Sequence, residues 1–344
     1  MSEIQIINPA TYPDWDDLLL TNNDYSFFHS SNWARVLCKS YFYKPSYLVS
    51  IYQNRLSALL PLMEVKRPFS GRSGVSLPFT DHCKPIGTSN EEVEQVLKTA
   101  ISLGKTSGWR YLDFRGNGCC FRHASPLTSY YNHTLSLNQD EQEVSSRFRA
   151  STRRNVIRAE EKGVRIRNAH SLKSVKKFYR LHCLTRKRHG LPPQPLQFFK
   201  NVYQHIIAQQ KGQVFLASYA EKEIAGAIFF HFGRKAIFKY GASDKKYYHL
   251  RPNNLLMSEA INWYAHRTYE SIDFGRTDLS NDGLLQFKRG WGAREQRINY
   301  YRFDTKKNEF VQHSLVSENY QYIFKYLPTL VSRIVGKALY KYAA

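Results

Sequence analysis

Two stretches of the chain decide its fold: Ser46–Leu62, SYLVSIYQNRLSALLPL, and Val214–Phe230, VFLASYAEKEIAGAIFF. Each has an apolar run, a polar pair and a second apolar run, which is the pattern of a β-hairpin. The polar pairs are Gln53–Asn54 and Glu221–Lys222, and the two stretches align without a gap, with Ser46 over Val214. We therefore predict one structural unit in two copies, because solenoid repeats are only about 20–50 residues long.

The sequence after each hairpin supports the duplication. In both copies an amphipathic helical pattern is followed by a short apolar strand that ends in Asp-Phe, at Asp113–Phe114 and at Asp273–Phe274. The distance along the chain between the two Asp-Phe endings is only eight residues shorter than the distance between the two hairpins. Two hairpins can resemble each other by chance, and this second agreement argues against that alternative.

Composition indicates a globular protein of two domains. A chain of 344 residues is long enough for two cores. Its 42% hydrophobic and 15% aromatic residues exclude a disordered chain. The start, MSEIQIINPATYPDWDD, lacks the basic and apolar regions of a secretory signal. Five cysteines at no metal or disulfide spacing fit a reducing compartment, so we expect a cytoplasmic protein. Twelve scattered histidines without an HExxH pattern predict no metal site.

Charge is concentrated in one part of the chain. The net charge is +22, and the basic segment Arg147–Arg188 has 15 Lys and Arg against two acids, Glu160 and Glu161. Such a run predicts an anionic partner, which would be a nucleic acid, a nucleotide pyrophosphate or an anionic membrane. The alternative is a solvated helical connector, although such helices usually interleave both signs.

The second half of the chain has the element order of the GNAT acyltransferase fold. The predicted elements are helices Ser171–His189 and Pro195–Gln210, strands Gln213–Ala220, Ile224–Phe232 and Ala236–Ala242, helix Asn254–Thr268, and strands Ser271–Phe274 and Gln296–Phe303. We predict an α/β fold with mixed sheets that is a tandem duplication of this fold. The expected domains are residues 1–145, residues 146–310 and a helical tail at 311–344.

The stretch Ile272–Ala293, IDFGRTDLSNDGLLQFKRGWGA, resembles the Fem family of peptidoglycan-bridge aminoacyltransferases and the Fem-like GNAT proteins of envelope-polysaccharide clusters. Further matching motifs are Arg154–Asn155, Gly163–Val164, Thr185-x-x-Arg188-x-Gly190, Tyr240–Ala242, Pro252–Leu256 and Leu77–Asp81. The resemblance covers about residues 30 to 303. It implies transfer of an aminoacyl or acyl group to an amine of a peptidoglycan or polysaccharide precursor, with a lipid-linked precursor as one option. The first copy would bind the acceptor, and the second would carry out the chemistry.

The donor stays open between aminoacyl-tRNA and acyl-CoA, as a co-substrate and not a bound cofactor. GNAT proteins that use acyl-CoA have a glycine-rich turn that binds pyrophosphate at a helix N-terminus. Here that turn is Leu250–Leu255, LRPNNL, which has no glycine. This argues against a standard CoA site, although Arg251 and Asn253, at the start of the helix, are candidate substrate-binding residues. The alternatives are an acyl-CoA-dependent N-acyltransferase of exopolysaccharide biosynthesis and a non-catalytic RNA- or membrane-binding protein.

Two residues are candidates for catalysis. Acyl transfer to an amine requires removal of a proton and stabilisation of an oxyanion. The resemblance implies that Lys288 stabilises the oxyanion. The alternative is that Lys288 is a lysine on the surface without a catalytic role. Asp273 could accept the proton or orient the amine, and its alternative is to cap a turn.

Three residues are candidates for substrate binding. Arg154 and Arg188 have guanidinium groups suited to phosphates. The alternative role of Arg154 is an ion pair with Glu160 or Glu161. Tyr240 could line the acceptor pocket or simply belong to the core.

The last stretch, Thr329–Tyr342, predicts a helix of about 21 Å, too short for a bilayer core of about 30 Å. One face is apolar: Leu330, Val331, Ile334, Val335, Ala338, Leu339 and Tyr342. Another has the cations Arg333, Lys337 and Lys341. The helix either packs on its domain or lies among lipid headgroups at the inner face of the plasma membrane.

Overall fold

The structure is a computed structural model that describes residues 3–68, 71–137, 141–312 and 328–342. The chain divides into two units. The first unit consists of Met1–Tyr131, Arg297–Val316 and Tyr340–Ala344, and the second consists of Asn132–Gln296 and Ser317–Leu339. Residues 313–327 of the expected tail domain lie outside the described residues.

The secondary structure alternates strands and helices along the chain. The strands of the described residues are β1 (Ile4–Ile7), β2 (Lys44–Pro45), β3 (Tyr47–Tyr52), β4 (Arg55–Leu60), β5 (Met63–Arg67), β6 (Gly71–Val75), β7 (Ile86–Gly87), β8 (Trp109–Arg115), β9 (Thr128–Ser136), β10 (Arg165–Ala169), β11 (Gly212–Tyr219), β12 (Lys222–Phe232), β13 (Lys235–Ser243), β14 (Ser271–Asp278), β15 (Arg294–Asp304) and β16 (Glu309–Phe310). The α-helices are α1 (Trp15–Leu20), α2 (Ser31–Tyr41), α3 (Asn90–Thr106), α4 (Glu141–Ser146), α5 (Ala150–Glu161), α6 (Leu172–Arg188), α7 (Leu196–Val202), α8 (Pro252–Ala265), α9 (Asp282–Arg289) and α10 (Thr329–Leu339).

The second unit is a mixed sheet with helices on both faces. Strands β10 to β13 are antiparallel neighbours, and β14 lies parallel to β13. A parallel pair needs a crossover, which α8 provides. Adjacent residues of β12 point to opposite faces: the Phe229 ring contacts Tyr264 of α8, whereas the Phe230 ring contacts Tyr240, which in turn contacts His182 of α6.

Strands β13 and β14 pair over only part of their length. Their paired residues run from Lys235 with Ser271 to Ile237 with Asp273. Beyond this point the register of β13 with β12 shifts, and Lys239 is the extra residue of the bulge. Since a bulge bends its strand, β13 and β14 diverge after Ile237 and Asp273. The pairing of β14 with β13 therefore ends at Asp273.

The first unit repeats this plan with a divided sheet. Strands β1, β3, β4 and β7 form one antiparallel sheet. A second, mixed sheet contains β2, β5, β6 and β8, and residues 300–304 of β15 pair with β8. Strands β6 and β8 are parallel and connected through α3, as β13 and β14 are connected through α8. Both copies therefore have the expected α/β architecture with mixed sheets.

The two hairpins have the same turn geometry, with one difference from the sequence prediction. Positive φ angles occur at Gln53–Asn54 and at Ala220–Glu221, as a two-residue type I′ turn requires. The expected turn at Glu221–Lys222 is therefore wrong by one residue. Each hairpin also has a bulge, at Ser57 in the first and at Ile224 in the second. Like the turn, the second bulge comes one residue earlier than the gapless alignment predicts. Because β12 is buried nearly throughout, its apolar pattern does not distinguish adjacent registers.

The helix α10 packs through small residues and not through its apolar face. A Cβ on Gly336 would lie 2.2 Å from the Pro193 carbonyl oxygen, and the Arg333 guanidinium lies 5.5 Å from the Tyr179 ring centroid. The apolar side chains remain accessible, with Ile334 70% and Leu339 44% exposed. The side chain of Leu330 lies outside the described part. In the described residues no helix is long and apolar enough to cross a membrane.

Candidate functional site

Lys288 is buried where β14 leaves its parallel partner. It lies in α9, which begins after Asn281, whose side chain accepts a hydrogen bond from the Leu284 N–H. Lys288 is only 2% exposed, and its Nζ donates to the carbonyl oxygens of Gly275 at 2.6 Å and Arg276 at 3.2 Å. The alternative of a surface lysine is therefore wrong. An ammonium group is held against the backbone of β14, just beyond the residues that pair with β13.

Asp273 also binds the backbone of Gly275. Its Oδ1 accepts a hydrogen bond from the Gly275 N–H at 2.6 Å, and its Oδ2 accepts one from the Asn132 side-chain amide at 3.1 Å. Gly275 lies within β14 and has a φ of 69°, so this carboxylate holds a backbone conformation that favours glycine. Asp273 and Lys288 are thus brought together at one residue, Gly275.

A second network beside Lys288 was not predicted from the sequence. The Nε2 of His133 lies 2.8 Å from a carboxylate oxygen of Glu295, and Arg289 donates to both oxygens of that carboxylate at 2.7 and 2.8 Å. Burial lowers the pKa of His133, and the nearby charge of Lys288 lowers it further. The bidentate bond from Arg289 lowers the pKa of Glu295. Arg289 adjoins Lys288 in the motif, but nothing in the sequence links His133 or Glu295 to it.

Some of the buried polar atoms without a hydrogen-bond partner lie on the same strands. Within the described residues, the Nδ1 of His133, the Oδ1 of Asn132 and the Oγ1 of Thr277 are buried without a hydrogen-bond partner. His133 is fully buried, and the other two are 5% and 2% exposed. Because native proteins rarely leave such groups unpaired, these atoms mark a polar environment on β9 and β14 rather than an ordinary apolar core.

The glycines after Lys288 allow the basic segment to dock. A Cβ on Gly290 would lie 2.5 Å from the Thr152 Oγ1, and one on Gly292 would lie 2.7 Å from the Cβ of Arg147. Between them, Trp291 is fully buried, with its ring centroid 4.9 Å from that of Phe148. These contacts place the start of the basic segment directly on the motif that contains Lys288.

Arg188 and Asn253 form a separate group around Ser243, at the end of β13. The Ser243 carbonyl accepts hydrogen bonds from Thr185 at 3.2 Å and from Arg188 at 3.5 Å, and its Oγ accepts one from the Asn253 amide at 3.4 Å. The Arg188 guanidinium also lies 5.2 Å from the Tyr248 ring centroid. Thr185 and Arg188 belonged to one matching motif, whereas Ser243 and Tyr248 gave no signal in the sequence.

Arg251 belongs to the same group through the start of α8. It is exposed and has a φ of 56°, and its backbone N–H donates to the Tyr248 carbonyl at 3.1 Å. Pro252 is the first residue of the helix. Because proline has no N–H, and the Asn254 N–H bonds to the Arg251 carbonyl at 3.0 Å, this helix start offers fewer donors to a phosphate than a glycine-rich turn.

Tyr240 and Arg154 lie apart from both groups. The Tyr240 ring packs against Phe199 at 5.5 Å and His182 at 6.1 Å between the centroids, as the core alternative requires. Burial lowers the pKa of His182 to about 3. Arg154 is exposed on α5, and in the described part of the chain it has no ion pair with Glu160 or Glu161. Its guanidinium therefore remains accessible to a partner.

Comparison with known proteins agrees with this geometry. Residues 146–289 match the family described as acetyltransferase (GNAT) domain. The lipid II:glycine glycyltransferase of Staphylococcus saprophyticus is 32% identical over 76 residues, which are 20% of this chain and 18% of that protein. The chain therefore matches less than a fifth of the length of this curated relative.

Solved structures extend the similarity to both copies. The crystal structure of FemX matches with a TM-score of 0.67 and 13% identity, over 86% of this chain and 96% of that one. A tandem GNAT protein from the clavulanic acid biosynthesis pathway matches with a TM-score of 0.54 and 9% identity, over 89% and 99% of the two chains. These structures show that the fold is a tandem duplication of the GNAT fold, and residues 146–289 are similar to the GNAT domain family.

Proposed function

We propose that this protein is an acyltransferase that moves an aminoacyl or acyl group onto an amine of a peptidoglycan or cell-envelope polysaccharide precursor. The observation that carries the proposal is the buried Lys288 ammonium, held at Gly275 where β13 and β14 diverge. The local similarity to a lipid II:glycine glycyltransferase supports this acceptor class. We assign the chemistry to the second copy, residues 146–310, and acceptor binding to the first, residues 1–145.

The reaction joins the acceptor nitrogen to the donor carbonyl carbon. The amine attacks an ester or thioester, and the carbonyl becomes an oxyanion that the Lys288 ammonium stabilises. The C–O or C–S bond then breaks, and the leaving group departs with the electron pair. Asp273 takes the proton that the amine loses. Backbone groups exposed by the divergence of β13 and β14 can pair with an extended, amide-rich acceptor.

The donor is proposed to be aminoacyl-tRNA. The cations Arg153, Arg154 and Arg158 of α5 are exposed, as is Lys162 directly after the helix. Gly290 allows this helix to dock on the Lys288 motif. The proline at the start of α8 is a reason to rank acyl-CoA second, although Arg188, Arg251 and Asn253 would be the groups that meet its phosphates. In either case the donor is a co-substrate, and we place the reaction on the cytoplasmic side of the membrane, where both donors occur.

The proposed function is tested by offering each donor to the full chain. The protein is incubated with charged tRNA or with acetyl-CoA, together with an amine-bearing envelope precursor, and the acylated product is measured by mass spectrometry. We expect product from aminoacyl-tRNA. Product from acetyl-CoA alone would identify the exopolysaccharide-type N-acyltransferase. Binding of RNA without product from either donor would favour the non-catalytic alternative.

The tail is proposed to bind the inner membrane surface, near a lipid-linked acceptor. One face of α10 packs on the second unit, while Val331, Ile334 and Leu339 are 41%, 70% and 44% exposed next to the basic Lys337. Ile334→Asp should reduce co-sedimentation with anionic vesicles several-fold without changing the melting temperature. The control is Leu20→Asp, which changes an apolar residue of α1 that is 41% exposed. Equal effects of both substitutions would contradict a role for the tail.

A further inference from the structure

The first unit contains a basic cavity that takes no part in the proposed reaction. Its volume is about 660 Å³, and it lies between the start of β8, the end of α3 and the turn after β15. This size is within the range of about 300–1,000 Å³ that is usual for small-molecule sites. The cavity is lined by four cationic side chains, Arg72, Lys105, Arg110 and Lys306. Its lining lies entirely within the first unit.

A bulge positions Arg110 at this cavity. In the pairing of β6 with β8, Arg72 lies opposite Trp109 and Ser73 lies opposite Tyr111, so Arg110 is the extra residue. Bulges redirect side chains and often occur beside binding sites. The guanidinium lies 5.2 Å from the Tyr111 ring centroid, and its Nε is buried without a hydrogen-bond partner in the described residues. A buried guanidinium donor without an acceptor is a feature that an anionic ligand would complete.

The charges of the cavity do not cancel. Arg110 pairs with Asp304 at 3.4 Å, and Arg72 lies 3.8 Å from Glu64. Asp304 also accepts hydrogen bonds from the backbone N–H groups of Lys306 and Lys307. Lys105 donates to the neutral side chain of Asn308. Among the described residues no carboxylate lies within 4.0 Å of the ammonium group of Lys105 or Lys306.

We propose that this cavity binds a phosphate-bearing small molecule of nucleotide size. Two ammonium groups without carboxylate partners match the charge of a phosphate dianion, and the Arg110 guanidinium adds a donor fork suited to phosphate oxygens. The remaining volume, bordered by Tyr111 and Trp109, holds the organic part of the ligand. The inference does not depend on the transfer chemistry, because none of the individual residues assigned to catalysis or to donor binding lines the cavity.

The test measures binding to the full chain by calorimetry, with inorganic pyrophosphate and with ADP as a nucleoside diphosphate. Lys105→Gln and Lys306→Gln each remove one ammonium group from the exposed rim, so both variants should stay folded. The matched control is Lys98→Gln, which changes an exposed lysine of the same helix, α3, outside the cavity. We expect both probes to bind, each cavity variant to weaken binding about five- to tenfold, and the control to leave it unchanged.

Three results would overturn the proposal. Equal weakening by Lys98→Gln would show attraction to the overall charge of the protein. Binding of pyrophosphate without binding of ADP would remove the assignment of nucleotide size. Dependence of tRNA binding on Lys105 and Lys306, with no binding of either small probe at millimolar concentration, would place these cations in a nucleic-acid surface instead.

Discussion

The two copies use the same Asp-Phe strand ending in different ways. In the first copy, Asp113 accepts two hydrogen bonds from Arg302, at 2.5 and 3.0 Å, and forms a further ion pair with Arg67 at 3.4 Å. In the second copy, Asp273 accepts the Gly275 N–H and the amide of Asn132. Both following phenylalanines, Phe114 and Phe274, are buried. The duplication has therefore kept the core residue and changed the partners of the acid.

This difference supports our proposal that the second copy carries the chemistry. An acid that is bound by two guanidinium groups from other strands serves to join those strands. An acid that holds the conformation of a glycine sets the backbone to which Lys288 donates. When the two Asp-Phe endings are superimposed in the sequence, Lys288 falls on Thr128, the first residue of β9. The first copy thus has a strand where the second has the lysine of α9.

The largest expected effect concerns Lys288. Lys288→Ala should lower kcat about 100- to 1000-fold with a smaller change in KM, because the ammonium stabilises charge that exists mainly in the transition state. Lys288→Arg should recover only part of the activity, since a guanidinium does not fit the place of a compact ammonium. The control is Lys66→Ala, at an exposed lysine of β5.

Because Lys288 is buried, Lys288→Met keeps most of its volume and separates folding from catalysis. Thermal unfolding measured beside turnover should show a folded but inactive protein. If Lys288→Ala turns over substrate at a near-normal rate, the lysine is structural, and the assignment would move to Asp273 and Tyr240.

The two acids should respond in opposite ways. Asp113→Ala should reduce the free energy of unfolding by about 3 kcal/mol, because it removes the carboxylate that two partly buried guanidinium groups share. Asp273→Asn retains an oxygen for the Gly275 N–H, so its stability should change little while turnover falls about 100-fold through loss of the proton acceptor. Denaturant titration and initial rates measure the two effects. A stable, active Asp113→Ala and an unstable Asp273→Asn would reverse the assignment of the copies.

Substitution of the basic residues of the second copy should have a smaller effect. We expect Arg154→Ala and Arg188→Ala each to weaken tRNA binding about tenfold. The affinity of the wild type should fall steeply with salt, because phosphate contacts release counterions. The matched control is Arg122→Ala, an exposed arginine of the first copy. Filter binding over a range of salt concentrations measures both effects, and an affinity that does not depend on salt would argue for acyl-CoA as donor.

The smallest effect is a pH dependence shared by both copies. Burial lowers the pKa of His29 in the first unit to about 4 and that of His182 in the second to about 3. The unfolded chain therefore binds more protons, and the stability from each neutral histidine is fully present above pH 6.5 and lost as the pH falls toward these values. His29→Gln or His182→Gln should reduce the slope by about one proton, or about 1.4 kcal/mol per pH unit. Unfolding titrations between pH 4 and 7 with unchanged slopes would contradict the burial argument.

Much of the fold could be read from local pattern. The helix α2 begins at Ser31 because Ser30, a residue type that favours helix starts, accepts a hydrogen bond from the Trp33 N–H. The helix predicted at Asn254–Thr268 instead begins at Pro252, since proline at the first helical position needs no N–H partner. The helix predicted at Pro195–Gln210 continues after α7 as a π-helical turn at Tyr203–Ile207, a change of hydrogen bonding that side-chain periodicity does not reveal.

The candidate site was less accessible to sequence reasoning. Lys288 and Asp273 were identified as candidates, but their meeting at Gly275 depends on how α9 packs against β14. His133 and Glu295 are far apart in the chain, and no spacing rule connects residues at such a distance. Ser243, which joins Arg188 to Asn253, lies in a strand pattern that only indicated burial.

The sequence by itself determined the duplicated hairpins, the helix-and-Asp-Phe endings, the basic segment and the Fem-like motifs. These features depend on periodicity, turn chemistry and local charge, which act over a few residues. Only the tertiary structure decided the exact register of the second hairpin, the exposed face of α10 and the different partners of Asp113 and Asp273. Each of these depends on which distant groups arrive at a surface, because the partners of a buried polar group are selected by packing and not by its neighbours in the chain.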